Sequence, residues 1–182
     1  MTLVGAMSFI YLNVIRRLLS PALWYTIRYT RYLFARPPKV WRTFKNYDKT
    51  NFLNEIKKLP YRADPLYGAI DYTVYDLDFF FWHALSKGRD CDDFAYAWYS
   101  WAKNKRYPAK MLVVMEGNDI TTSHVITIFR DSQGWNCANL WSVGSGYRTA
   151  NDSLKYLMNF EFKNPNGKTF RYNNIRVSTF MA

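Results

Sequence analysis

Cysteine is nearly absent from this chain: 182 residues contain only Cys91 and Cys137. Two thiols exclude a disulfide framework and a four-cysteine zinc site, and leave at most one bridge. Histidine is as scarce, with only His83 and His124, so imidazole chemistry has two candidates. Eight glycines and seven prolines are too few for a low-complexity chain. Residues 3–15 are apolar but end at Arg16-Arg17, short of the roughly 20 residues that a bilayer span needs. A secretory signal carries its positive charge before the apolar run and a small-residue cleavage site after it. Here the charge follows and no such site is visible, so a secretory signal is not expected, while a membrane-inserting segment stays open. Acidic residues are scarce in the N-terminal third. Residues 1–62 hold twelve Lys/Arg against two Asp/Glu, whereas the remainder holds thirteen against twelve. The net charge of +11 therefore belongs almost wholly to an arm. Such an arm suits lipid headgroups, nucleic acid or an acidic protein.

What is present in quantity is apolar and aromatic material, 49% and 19% of the chain, enough for one compact domain with an extra segment. Residues 1–60 read as a basic helical arm and residues 61–182 as the domain. Within the arm, residues 8–35 place Arg16, Arg17, Arg28, Arg31 and Arg36 among Leu, Ile, Trp and Tyr. That pattern fits an interfacial amphipathic helix and equally an ordinary helix packed on the domain. Residues 1–45 are thus expected to meet a membrane surface or an acidic partner; no motif supports nucleic acid. Pro37-Pro38 ends the helix. A second helix starts with Asp48 or Thr50 as N-cap and runs through Phe52 and Ile56 to Leu59. Residues 61–82 read as a loop followed by a short helix.

From Cys91 the patterning is clearer. Phe94, Ala95, Trp98, Trp101 and Ala102 recur at helical spacing, and Tyr107-Pro108 ends that helix. Residues 111–115 form an apolar run without alternation, as in a strand buried on both faces. Residues 123–130 alternate, Asp131-Ser132-Gln133-Gly134 makes a hairpin turn, and 135–141 form the next strand. A Gly-Ser-Gly loop follows, then a helix over Ser153–Phe160 capped by Asn151 or Asp152, and a C-terminal strand over 168–180. Helices followed by antiparallel strands indicate an α+β fold.

Cys91 lies where the polar turn Gly88-Arg89-Asp90 meets the apolar helix. Backbone N–H groups and the helix dipole stabilise thiolate there. A cysteine hydrolase also needs an imidazole, and a hydrogen-bond acceptor to orient it. His124 opens one strand, and either Asn139 or Asn136 on the next stands near it, depending on register. His83, in the aromatic run FFFWHAL, is the alternative base but reads better as a packed core residue.

The run Gly88-Arg89-Asp90-Cys91-Asp92-Asp93-Phe94-Ala95, the following helix, Tyr107-Pro108 leading into a strand, and Ser123-His124-Val125 together resemble the transglutaminase-like cysteine peptidases. The nearest pattern is the bacterial branch with Gly-Asp-Cys-Glu-Asp-Tyr-Ala, and the resemblance covers roughly residues 60–142. It implies a papain/transglutaminase-like core, Cys91 as nucleophile, His124 as general base and a peptide or protein substrate. The family's third residue is usually Asp. Counting from Gly134-Trp135 places Asn139 there, while alignment on Asn139-Leu140 would move the position to Ala138. Asn139 can orient the ring but adds no negative charge. No cofactor is required. The resemblance also allows calcium at Asp90, Asp92 and Asp93, which the sequence alone reads as helix-N-terminal acids with Asp90 as N-cap. These carboxylates oppose thiolate formation, so His124 must supply much of the activation. An oxyanion hole would use the Cys91 backbone N–H and an upstream donor, with Trp82, Ser86 and Lys87 as candidates. Two other classes remain: an inactive scaffold of this fold anchored by its arm, and an NlpC-like cell-wall peptidase. The latter's motif continues with Ser-Gly, where this chain has Asp92-Asp93. The low cysteine count suits a reducing interior, or a virion or membrane context, better than secretion.

Overall fold

The computed structural model describes residues 38–61, 76–82, 89–164 and 167–181. The arm helix over 8–35, most of the lead-in at 61–82, His83, Ser86 and Lys87 lie outside the described residues. Two short helices come first: α1 (Trp41–Phe44) and α2 (Lys49–Lys57). Asp48 caps α2 by accepting a bond from the Asn51 N–H at 2.8 Å, one of the two residues expected there. The next helices are α3 (Leu77–Phe81) and α4 (Cys91–Asn104). The strands β1 (Ala109–Glu116), β2 (Asp119–Asp131), β3 (Gly134–Asn139) and β4 (Ser142–Tyr147) follow. Then come α5 (Ala150–Leu154), a 3-10 turn over Lys155–Asn159, β5 (Phe162–Lys163), β6 (Thr169–Phe170) and β7 (Ile175–Met181). The main sheet has the order β4-β3-β2-β1-β7, all its pairings antiparallel, and β5-β6 form a small second sheet. This is the α+β arrangement expected, with a helix packed on an antiparallel sheet.

Both faces of the main sheet are covered, which is why β1 reads as an unbroken apolar run. On one face Met111, Val113, Met115 and Val125 pack with Ala95 of α4. On the other, Leu112, Val114, Ile126, Ile128 and Cys137 pack with Leu157, Phe162 and Tyr172. A third cluster joins α2, α3 and α4 to the sheet through Phe52, Ile56, Phe80, Phe94, Trp98, Trp101 and Phe129. Residues 41–59 of the expected arm thus belong to the packed core. Phe52 stacks on Trp101 at 5.5 Å and meets Trp98 edge-on at 5.0 Å.

Three local expectations are corrected. Gly144-Ser145-Gly146 is strand, part of β4, and not a loop. Its pairing with β3 includes Cys137 opposite Gly144, and a side chain at Gly144 would strike the Tyr156 ring at 2.5 Å. The following helix is one α-turn capped by Thr149, whose hydroxyl accepts from the Asp152 N–H; it tightens into 3-10 geometry over Lys155–Asn159. Neither Asn151 nor Asp152 is its cap. The C-terminal segment 168–180 is two strands. The Glu116 carboxylate takes the N–H groups of Asn173 (2.6 Å) and Asn174 (3.0 Å) between them, so these amides are withheld from a ladder.

Candidate functional site

Cys91 is the first residue of α4. Asp90 precedes it in extended conformation and its side chain accepts from the Asp92 N–H at 3.3 Å, the N-cap role expected of it. The helix starts here because its apolar stripe starts here: Phe94, Ala95, Trp98, Trp101 and Ala102 are all buried. It stops in a Schellman arrangement. Tyr107 N–H returns to the Ala102 carbonyl and Arg106 N–H to that of Lys103. Arg106 takes the left-handed φ of 60° at the position that glycine usually fills. The two thiols differ sharply. Neither forms a disulfide, and Cys91 is half-buried while Cys137 is buried. Burial pushes the Cys137 thiol far above its usual range, so it is inert at neutral pH.

The register of the β2–β3 hairpin decides between the two asparagines. Ile128 faces Cys137, Thr127 faces Ala138 and Phe129 faces Asn136. Side chains alternate along a strand, so His124, Ile126, Ile128, Cys137 and Asn139 share one face. There His124 Nε2 lies 2.6 Å from Asn139 Oδ1, with both residues buried. The imidazole packs on Phe162 at 4.6 Å between centroids. Asn136 points to the other face, where its side chain donates to the Gly134 carbonyl at 3.0 Å and accepts from Lys49 Nζ at 3.0 Å. Ala138 lies on that face too, in the cluster under α4.

α4 runs along β2. Thr127 Oγ1 donates to the Ala95 carbonyl at 2.6 Å. One helical turn before Ala95 is Cys91, and two strand residues before Thr127 is Val125. The thiol end of α4 therefore stands at the same end of β2 as His124. Cys91 packs with the cluster of Ala95, Met111, Val113, Met115 and Val125, while the imidazole projects to the opposite face beside Phe162. Tyr172 packs on that face too. Its hydroxyl donates to the Thr122 carbonyl at 2.8 Å, and its ring lies 4.8 Å from that of Phe162. Burial raises its phenol well above the usual range, and the charges of Cys91 and Glu116 add to the rise.

Asp92 and Asp93 are fully buried in the first turn of α4, where N–H groups and the helix dipole favour negative charge. Asp90, Cys91 and Asp92 bring one ligand atom each within 4.8 Å of one another. Calcium takes six to eight oxygens, of which this group supplies the carboxylates of Asp90 and Asp92; among the described residues Asp93 is not part of it. Trp82 is half-buried at the end of α3 and packs on the core beside α4. An open groove of about 440 Å³ runs past Tyr96, Ser100 and Asn104 of α4, with Trp41, Asp76 and Asp78 opposite. Cys91, His124 and Asn139 do not line it.

Three contributing residues had no role beyond packing in the sequence reading. Lys49 holds the β2–β3 hairpin from 82 positions away, bonding Asp131 at 2.8 Å. Tyr172 anchors the start of β2. Trp98 donates to the Leu140 carbonyl at 3.1 Å. Trp98 alone carried a signal, its i+7 spacing from Cys91. Comparison with protein-family models, with curated proteins and with solved structures gave no match.

Proposed function

We propose that this protein is a cysteine-nucleophile hydrolase with a transglutaminase-like core, acting on peptide or isopeptide amides. One observation carries the reading: the 2.6 Å contact between His124 Nε2 and Asn139 Oδ1, at the end of β2 where α4 begins with Cys91. An amide oxygen accepts, so Nε2 carries the hydrogen, and Nδ1 is left to take the thiol proton. The Cys91 thiolate attacks the substrate carbonyl. The C–N bond then breaks as the His124 imidazolium protonates the leaving amine, giving a thioester. Water, deprotonated by the same ring, adds to the thioester, and the carboxylic acid leaves as Cys91 regains its thiolate. The Cys91 backbone N–H, with Trp82 as second donor, would hold the oxyanion. The reading requires the thiol and the Nδ1 edge to meet around the end of β2.

Alkylation kinetics test this without a known substrate. At pH 7 iodoacetamide labels Cys91 and leaves Cys137 untouched. His124→Ala slows Cys91 labelling by about tenfold, because the thiolate fraction falls. Equal labelling rates in the two proteins, or a Cys91 that never reacts while folded, overturn the assignment.

A further inference from the structure

We propose that Trp98 is a positioning residue for the His124–Asn139 pair, through the hydrogen bond from its indole N–H to the Leu140 carbonyl. Asn139 is the last residue of β3, and its direction is set by the two-residue turn Leu140-Trp141 that leads to Ser142. This turn is strained. Leu140 has φ 47°, a left-handed conformation in which the Cβ crowds the backbone. Such a conformation persists only where the surroundings over-determine it, and here the surroundings are visible. Trp98 holds the Leu140 carbonyl at 3.1 Å. Trp141 Nε1 donates to the Leu59 carbonyl at 2.8 Å, and Phe94 packs edge-on against the Trp141 ring at 5.7 Å. Ser142 Oγ closes the turn on the Asn139 carbonyl at 2.9 Å.

Phe94 and Trp98 are four residues apart on α4, and Trp98 is seven from Cys91, so one helical face carries all three. The helix that bears the thiol also grips the turn that aims the amide. A hydrogen bond of 2.6 Å between two buried side chains tolerates little rotation. Releasing the Leu140 carbonyl lets the turn relax, swings Oδ1 away from Nε2, and lets the imidazole exchange tautomers. The effect on His124 stands on geometry alone; only its consequence for Cys91 rests on the hydrolase reading.

The test is the nitrogen-15 NMR spectrum of the His124 ring in the full chain. The wild type shows the Nε2–H tautomer, and Asn139→Ala shows a mixture. Trp98→Phe, which keeps an aromatic ring and removes the donor, is expected to move most of the way to the Asn139→Ala spectrum. Trp101→Phe is the control. It also loses a buried indole bond, to the Tyr47 carbonyl at 3.0 Å, but that carbonyl is remote from the pair, so the tautomer stays as in the wild type. If Trp98→Phe does not fold, 3-benzothienylalanine at position 98 keeps the indole shape without the N–H and serves instead. A wild-type spectrum in the donor-free protein, or an equal change in Trp101→Phe, overturns the proposal. A tautomer change of the expected kind, together with Cys91 labelling that ignores His124→Ala, keeps the positioning role and removes the hydrolase reading.

Discussion

In the proposed hydrolase site the residue that orients His124 is Asn139, an amide. An amide oxygen orients the ring, whereas a carboxylate also stabilises the imidazolium. Under the hydrolase reading, Asn139→Asp therefore raises the Cys91 alkylation rate at pH 7 and Asn139→Ala lowers it, both severalfold. Stability runs differently, because the aspartate is buried: urea midpoints fall in both variants. Lys49 is the second residue of consequence. Its ammonium bonds Asp131 Oδ2 at 2.8 Å, Asn136 Oδ1 at 3.0 Å and Ser145 Oγ at 3.3 Å. Burial is the largest single influence on Asp131 and raises its pKa. The bonds from Lys49, the Gln133 N–H and Asn136 together outweigh it, and the net shift is downward. A carboxyl depressed in the folded state contributes stability above its unfolded pKa of about 3.9, and that stability is lost as pH falls through the folded value. Lys49→Met is expected to cost about 1–3 kcal/mol at pH 7, since it strands Asp131 and Asn136. The cost shrinks as pH falls through the depressed folded value of Asp131, below which the carboxyl is protonated in both proteins. Urea unfolding at pH 7 and at a series of pH values below the unfolded pKa measures the difference.

Elements differ in how openly the sequence announces them. α4, β1 and the β2–β3 hairpin were legible, because each has local periodicity: a 3.6-residue stripe, an apolar run, an alternation closed by a glycine turn. The Asp90 cap was legible for the same reason. β4 was not, since glycine and serine have low strand propensity, and what makes Ser142–Tyr147 a strand is its partner β3 and the ring of Tyr156. The break between β6 and β7 was hidden too, because it depends on Glu116, 57 residues before Asn173. In the candidate site, the residue types were readable but not the choice between Asn136 and Asn139. That choice depends on a one-residue register, and Lys49, far along the chain, claims the other amide. β4 gives the element-scale prediction. Gly144→Ala drives a methyl into Tyr156, whose ring atoms would stand 2.5 Å away. Overpacking of this kind costs about 1–3 kcal/mol. The urea midpoint falls, and Tyr156→Ala in the same chain restores part of the loss by opening the space. A Gly144→Ala protein of unchanged stability contradicts the strand assignment.

Composition and packing do not divide the chain at the same place. Basic charge continues to about residue 62, yet residues between Val40 and Leu59 already pack on the core. Phe52 is fully buried between Trp98 and Trp101, Trp101 donates to the Tyr47 carbonyl, and Trp141 donates to that of Leu59 at 2.8 Å. α1 and α2 therefore fold with the sheet as one cooperative unit. Phe52→Ala is expected to cost about 3–5 kcal/mol, a large share of a domain's usual stability. A chain beginning at residue 61 lacks these aromatics and is expected to stay unfolded by circular dichroism, while one beginning at residue 38 keeps a single cooperative transition. That difference decides how the arm must be tested. We propose that the segment before residue 38 binds an anionic surface, since it holds five arginines among residues 16–36 and no acid. Each basic group near such a surface contributes about 1 kcal/mol, screened by salt. The full chain should sediment with phosphatidylserine vesicles at low ionic strength and release as salt rises, whereas the chain from residue 38 should stay in solution at every salt concentration. Because both proteins retain α1 and α2, a difference between them reports the arm and not a loss of fold. Equal sedimentation of the two would assign the charge to solvation alone.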